Sequence, residues 1–194
     1  MTRPTEVGGE PPRSHPPEVS TTGQSVVAGS PPANLEIRPV TLDDLETLIE
    51  VYLDTARHHA AIDPEVFHVP AREDVAVRLR RRVEGRGETA EYVAAMVGDE
   101  MAGSASVDLE DPYHPGNMMG TVPTAEFGVS VVESWRGHGI GTVLIGHVER
   151  WAAAHGVQRM LLNVSEANLG AVRLYHSLGY RDYDRAMLKW LDRR

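Results

Sequence analysis

The chain has no cysteine, a single lysine (Lys189) and no long apolar run. Without cysteine it cannot contain a disulfide scaffold, a thiol nucleophile, an iron–sulfur cluster or a cysteine-ligated zinc site. No stretch approaches the roughly 20 apolar residues that a membrane helix needs. Residues 1–20 contain no apolar segment typical of a secretory signal. We therefore expect a cytoplasmic protein with no membrane contact.

The net charge of the chain argues against nucleic acid as a partner. The 194 residues carry a formal net charge of −9, whereas proteins that bind nucleic acid present a positive surface to the phosphates. Nucleic acid is therefore not an expected partner. An acidic protein is compatible with a cationic small molecule, but acidity also serves solubility in general.

Composition divides the chain near residue 33. Residues 1–33 hold seven of the 13 prolines and no aromatic residue, so they bury too little apolar surface to offset the entropy cost of ordering. We predict a disordered, proline-rich N-terminal tail over 1–33 and one folded domain over 34–194. A proline-rich docking ligand is the alternative for the tail, although its prolines form no clear PxxP pattern.

From residue 34 onward, strand-like and helix-like patterns alternate. Runs rich in β-branched and aromatic residues predict strands at Leu35–Pro39, Tyr92–Val97, Met101–Val107, Ala125–Val132, Met160–Val164 and Tyr183–Trp190. Apolar residues at helical spacing predict one helix after the capping residue Thr41 and others over 72–84, 140–155 and 169–178. Because hairpins and helical crossovers both occur, we predict an α/β fold whose sheet has mixed direction.

The most informative segment follows the strand predicted at Ala125–Val132. It reads Arg136-Gly137-His138-Gly139-Ile140-Gly141-Thr142 and leads directly into a helix. Glycines let the main chain approach a ligand closely, and the N–H groups and dipole of a helix N-terminus favour an anion. The segment lacks the lysine of a Walker loop, and Thr142 stands where a dinucleotide fingerprint has glycine. Taken alone, it could also be a plain glycine-rich turn.

A second segment narrows these alternatives. It runs from Asn163 to Tyr180 and reads NVSEANLGAVRLYHSLGY. Together with the RGHGIG turn it resembles the GNAT superfamily of acyl-CoA-dependent N-acyltransferases. That family has a Q/R-x-x-G-x-G/A pyrophosphate loop and a later N-x-x-A-x-x-L-Y-x-x-x-G-F/Y segment. The resemblance covers roughly residues 34–190 and implies one domain with a mixed central sheet, splayed between two strands and covered by helices on both faces.

The resemblance implies that acetyl-CoA is the co-substrate. Pantetheine would pair with the strand edge at Val129 and Val131, and the pyrophosphate would lie on the main-chain amides of the turn. The cofactor-binding residues so implied are Val129, Val131, Arg136, Gly137, His138, Gly139, Ile140, Gly141, Thr142 and Asn168. Asn168 is also placed to cap its helix. No metal is predicted, because His58, His59, His68 and His114 lack metal-ligand spacing.

Two residues are candidates for the acid–base chemistry. Acyl transfer from a thioester to an amine needs a neutral amine, a stabilised oxyanion and a proton for the leaving thiolate. Glu126 is the candidate base, since the family often carries its base on this strand; the alternative is a surface glutamate. Tyr175 matches the family's general acid, and the alternative is a packed core tyrosine. Glu133 and Glu166 are weaker candidates for the base.

The resemblance therefore implies an enzyme that transfers an acetyl group from acetyl-CoA to an amine by direct attack in a ternary complex. A catalytically silent acyl-CoA-binding or regulatory module is the alternative. The acceptor is expected to be a small-molecule or peptide amine, and a homodimer is one of the oligomeric states left open. An arginine cluster lies on and just after the predicted second helix, at Arg78, Arg80, Arg81, Arg82 and Arg86. The resemblance implies that this helix lies by the acceptor site, but a solvated helix face is the favoured interpretation of the cluster.

Overall fold

A computed structural model describes residues 29–110, 122–189 and 191 of the chain. Residues 1–28, which belong to the predicted tail, lie outside the described residues, as do residues 111–121, 190 and 192–194. The described strands are β1 (Leu35–Pro39), β2 (Ala90–Val97), β3 (Glu100–Leu109), β4 (Thr124–Val131) and β5 (Arg159–Leu161). The described helices are α1 (Leu45–Ile62), α2 (Arg72–Glu84), α3 (Ile140–Ala154) and α4 (Leu169–Ser177).

The five strands form one sheet in the order β1-β2-β3-β4-β5. The first four run antiparallel to their neighbours, whereas β5 runs parallel to β4. The parallel pair is joined through α3, as a parallel connection requires a crossover. The predicted α/β fold with a sheet of mixed direction is thus confirmed.

Two apolar cores lie on opposite faces of this sheet. On one face, α1 and α2 bury residues such as Leu48, Ile49 and Leu79. On the other, α3 packs Leu144 against the sheet, and α4 contributes Leu174 to the same core. Because successive residues of a strand point to opposite faces, one strand can serve both cores. Helices on both faces were predicted and are confirmed.

The sheet parts between its last two strands. Pairing of β4 with β5 covers only Thr124–Glu126 against Arg159–Leu161, whereas β4 continues beside β3 as far as Val131. Beyond Glu126 the edge of β4 that faces β5 has no paired strand among the described residues. The predicted splay is therefore present.

Two predicted strands differ from the structure. The strand predicted at Met160–Val164 is only Arg159–Leu161, because the divergence of β4 and β5 removes its pairing partner. The strand predicted at Tyr183–Trp190 is wrong for residues 183–189, which form no regular structure. Strands need a partner edge, and the three residues of β5 offer a short one. Trp190 lies outside the described residues.

The described end of the predicted tail contacts the glycine turn. The Gly29 N–H donates a hydrogen bond of 3.0 Å to the Gly137 carbonyl, and the Leu35 N–H donates one of the same length to the Pro32 carbonyl. A Cβ built on Gly139 would lie 2.5 Å from the Gly29 carbonyl oxygen. Residues 29–31 therefore lie directly against the turn that precedes α3.

Candidate active site

The glycine turn presents main-chain donors at the N-terminus of α3. Gly137 and Gly139 have φ angles of +79° and +74°, which favour glycine. The Val143 N–H donates to the Gly139 carbonyl at 3.2 Å, so the N–H groups of the preceding helical residues have no acceptor within the helix. The Ile140 side chain is 1% exposed and anchors this end of α3 in the core. The turn thus has the geometry of an anion site.

Arg136 joins this turn to the rest of the domain. Its Nε donates to the Val131 carbonyl at 3.0 Å, and its Nη2 donates to the Asp54 carboxylate at 2.6 Å. The guanidinium of Arg136 thus binds β4 and α1. The cofactor contact that the resemblance implies for this residue stays a prediction. The exposed His138 makes a local bond, since its Nδ1 donates to the Arg136 carbonyl at 3.0 Å.

The free edge of β4 faces the gap. The Val132 N–H donates to Ala102 of β3, and the Thr124 carbonyl accepts from Glu110 beside β3. Main-chain groups alternate in direction along an antiparallel pair, so those of Val129 and Val131 point away from β3. The Val131 carbonyl is taken by Arg136. Both main-chain groups of Val129 and the Val131 N–H therefore point toward the gap.

Glu126 lies at the last paired position before the strands part. Its side chain is exposed, and its Oε1 accepts a hydrogen bond of 2.8 Å from the Asn163 Nδ2. Asn163 follows β5, so this bond spans the point at which β4 and β5 diverge. The carboxylate is held at the mouth of the gap by this bond.

Tyr175 approaches the gap from α4. The Asn168 side chain caps this helix by accepting from the Ala171 N–H at 3.2 Å, as the sequence predicts. The Tyr175 ring packs edge-on against Phe127, with centroids 6.2 Å apart. Burial raises the pKa of the Tyr175 hydroxyl, so it keeps its proton at neutral pH. The neighbouring Tyr180 hydroxyl instead donates to Glu149 at 2.8 Å.

Glu126 and Tyr175 therefore lie on opposite sides of the sheet. Glu126 and Phe127 are successive residues of β4 and point to opposite faces. Tyr175 contacts the Phe127 face, whereas Glu126 points to the face covered by α1 and α2. The structure brings the two candidate residues to adjacent positions of β4, on opposite faces of the sheet.

Several contacts near this point carry no signal in the sequence. Asn163 meets Glu126 across 37 positions, and Arg136 meets Asp54 across 82. Arg82 of α2 bonds to Ser106 and to Asp108, both at 2.5 Å. A solvated helix face is therefore the wrong interpretation for Arg82. Such contacts join distant segments, and only the strand order of the sheet could have indicated them.

Two further properties concern the part of the chain that the structure describes. No helix there is long and apolar enough to cross a membrane. Nor do three or more His, Asp or Glu side chains converge there as they would around a metal ion. That no metal takes part remains a prediction from the histidine spacing.

A sheet that parts between two parallel strands, with a glycine turn at the following helix, is the arrangement expected of an N-acyltransferase domain. The profile of the Acetyltransferase (GNAT) family matches residues 47–180. That span is more than half of the chain, and the protein belongs to this family.

Solved structures share the fold. A mutant of the BH1408 protein from Bacillus halodurans is 24% identical, with a TM-score of 0.71 over 80% of this chain and 99% of that one. The aminoglycoside N-acetyltransferase AAC(6′)-Iy, in complex with CoA, is 18% identical, with a TM-score of 0.60 over 81% of this chain and 94% of that one. At these identities the likeness concerns the fold alone.

A curated relative shares a short stretch of sequence. The uncharacterized N-acetyltransferase YobR of Bacillus subtilis is 42% identical over 52 residues. The match spans 27% of this chain and 21% of YobR. It therefore covers about a fifth of that relative's length and supports membership of the family rather than a particular activity.

Proposed function

We propose that the protein transfers an acetyl group from acetyl-CoA to an amine by direct attack in a ternary complex. One observation carries the proposal. Glu126 bonds to Asn163 where β4 and β5 part, and the Tyr175 ring packs on Phe127, the next residue of β4, on the opposite face of the sheet. A base on one side of a bound thioester and an acid on the other is the arrangement that acyl transfer to an amine needs.

The residues around the gap fit an acyl-CoA. The amides of Gly137 to Thr142 would hold the pyrophosphate, with about 0.3–1 kcal/mol from the helix dipole. The free main-chain groups of Val129 and Val131 would pair with the pantetheine amides. The relative AAC(6′)-Iy is described in complex with CoA and with a CoA–acetylneamine bisubstrate analogue, which supports CoA as the donor here.

Each side chain then has one task. Bound acetyl-CoA supplies an activated acetyl group as a thioester. Glu126 takes the proton of the amine, directly or through water, since an alkyl amine with a pKa of about 10 is mostly protonated at neutral pH. Tyr175 donates a proton to the departing sulfur. A main-chain N–H near Val131 is the candidate donor to the oxyanion. A cysteine acyl-enzyme is excluded, because the chain has no cysteine.

The test is release of free CoA thiol from acetyl-CoA across a panel of small-molecule and peptide amines, with products identified by mass spectrometry. Amine-dependent release that yields an N-acetylated product supports the proposal. If acetyl-CoA binds by calorimetry while thiol release never exceeds hydrolysis for any amine, the protein is an acyl-CoA-binding module and the proposal fails.

A further inference from the structure

Two carboxylates face each other beside the point where β4 and β5 part. The strand register aligns Asp108 of β3 directly with Glu126, the candidate base on β4. Residues directly opposite in an antiparallel pair lie on the same face of the sheet with Cβ atoms about 4.5–5.5 Å apart, and like charges there destabilise the pair. The Asp108 side chain is 43% exposed, and Glu126 is an exposed residue. Both carboxylates are therefore accessible on one face of the sheet.

An arginine from α2 compensates one of these two carboxylates. The Arg82 Nη2 donates to the Asp108 carboxylate and its Nη1 donates to the Ser106 hydroxyl, both at 2.5 Å. Ser106 is buried, at 7% exposure, so the guanidinium is fixed at two points on β3. Glu126 has a different partner, because the neutral Asn163 amide donates to it at 2.8 Å. The arginine thus pairs with Asp108 and not with the candidate base.

This choice of partner determines the charge that an acceptor amine meets. The charges of Arg82 and Asp108 cancel, whereas Glu126 keeps its own. Without Arg82, two facing carboxylates would bind a protonated amine more tightly and make it lose its proton less readily, since nearby opposite charge favours the charged form. Without Asp108, an uncompensated guanidinium close to Glu126 would repel the same amine. The pair therefore keeps the charge around the base at an intermediate value.

We propose that Arg82 is a positioning residue of the acceptor site and acts through Asp108. The inference rests on the proposed acetyl transfer. Arg82 cancels the charge of the Asp108 carboxylate, so that the protonated acceptor amine meets Glu126 as a single negative charge. The amine then binds but can still give its proton to this one carboxylate.

The test compares four proteins: the wild type, Arg82→Met, Asp108→Asn and the double variant. Relative to the wild type, Arg82→Met adds one negative charge beside Glu126, Asp108→Asn removes one, and the double variant leaves the sum unchanged. Other charged groups, such as Arg159, which bonds to Thr124 at 3.0 Å, are the same in all four proteins and cancel from the comparison. The probe is the best acceptor amine of the wild-type panel, titrated by calorimetry into the CoA-bound protein at pH 7.

The expected changes in acceptor affinity have opposite signs. Arg82→Met should tighten acceptor binding by about three- to tenfold, as expected for one charge in a partly exposed site, and it should lower kcat because the amine keeps its proton. Asp108→Asn should weaken acceptor binding by a similar factor, and the double variant should lie within about twofold of the wild type. Arg82→Lys should resemble the wild type in affinity, because lysine keeps the positive charge. Arg80→Met is the control, since Arg80 is exposed and lies near Glu84 of the same helix, and it should change neither quantity.

The outcomes separate the two proposals. If the wild-type chain acetylates no amine, acetyl transfer itself is wrong and the inference falls with it. If the wild type is active and Arg82→Met binds the acceptor no more tightly, only the inference is wrong. A change in Arg82→Met that the added Asp108→Asn fails to reverse leads to the same conclusion. Should Arg82→Met fail to fold, Asp108→Asn alone decides: weaker acceptor binding supports the inference, and unchanged or tighter binding overturns it.

Discussion

Asn163 donates a hydrogen bond of 2.8 Å to the Glu126 carboxylate, although Asn163 lies beyond the end of β5 and Glu126 is the last residue of β4 that pairs with that strand. Where main-chain pairing between β4 and β5 ends, this bond between two side chains links the two segments instead. It restricts the carboxylate to one position at the mouth of the gap. Asn163 is therefore a positioning residue in the proposed reaction, acting through Glu126.

Removing that bond should impair the base without affecting the cofactor. For Asn163→Ala we expect kcat to fall by about tenfold, because Glu126 is no longer held, while the KM for acetyl-CoA stays unchanged. The loss should shrink at alkaline pH, where the amine is already neutral. Steady-state kinetics measure both. In a Glu126→Gln background the same change should have almost no further effect, since coupled residues are not additive. A full additive loss contradicts the positioning role.

Replacing Glu126 by Gln should create a pH-dependent defect. Gln cannot accept the amine proton, so turnover should be low near neutral pH. It should recover as the pH rises toward about 10, the pKa of an alkyl amine, because more of the acceptor is then neutral. A pH–rate profile of kcat/KM measures this, with Glu133→Gln as the control. Loss of activity that is the same at every pH would assign Glu126 a different role.

Replacing Tyr175 by Phe should lower turnover more than cofactor affinity. The ring and its packing on Phe127 are kept, so the fold should survive. Loss of a general acid commonly costs about 10²–10⁴-fold in rate, and the defect should not recover with pH because the leaving group is unchanged. Single-turnover kinetics and calorimetry with CoA separate the two effects. Wild-type turnover with an earlier melting transition would make Tyr175 a packing residue only.

The ion pair between Arg136 and Asp54 should affect the binding of CoA, the acyl donor, rather than the binding of the acceptor amine. Both side chains are largely buried, with exposures of 30% and 19%, and the pair holds the glycine turn against α1. Asp54→Asn should weaken binding of CoA by about tenfold, corresponding to roughly 1–2 kcal/mol of lost interaction. Calorimetry with CoA is the measurement, and Glu50→Gln, on the exposed side of α1, is the control. Unchanged CoA affinity in Asp54→Asn would show that the turn needs no support from α1.

Low pH should reduce the free energy of unfolding, because the Asp44 carboxylate becomes protonated. Bonds of 2.7 and 2.8 Å from Arg38 hold the pKa of the Asp44 carboxyl at about 2. Since this value is lower than in the unfolded chain, the stabilisation is present above about pH 4 and is lost as the pH falls toward 2. Asp44→Asn should be less stable at neutral pH by about 1 kcal/mol, because solvent screens this partly exposed pair. In urea unfolding the difference should shrink as the pH falls through about 2, the folded-state pKa of Asp44, whereas Asp43→Asn should show no difference at any pH.

Local sequence patterns predicted which helices and strands form, whereas pairing between distant segments determines where the strands end. The helices at 72–84 and 140–155 are set by the spacing of their own apolar residues, and both form where predicted. Strands depend on a partner, so β5 stops where β4 leaves it. The motifs located the glycine turn and Tyr175 because those features are contiguous. The hydrogen-bond partners of Glu126 and Arg136 lie 37 and 82 positions away in the sequence, respectively, so no local sequence pattern indicates them.

The hydrogen bond between Gly29 and Gly137 has a practical consequence for handling the protein. In a chain shortened to begin at Gly29, an affinity tag or a fusion partner would be joined beside the turn at the N-terminus of α3. A histidine tag there would place imidazole groups close to the main-chain N–H groups that we expect to bind an anion. A bulky fusion partner would crowd the same N–H groups. A cleavable tag, removed before ligand titration, keeps the measured affinity a property of the protein itself.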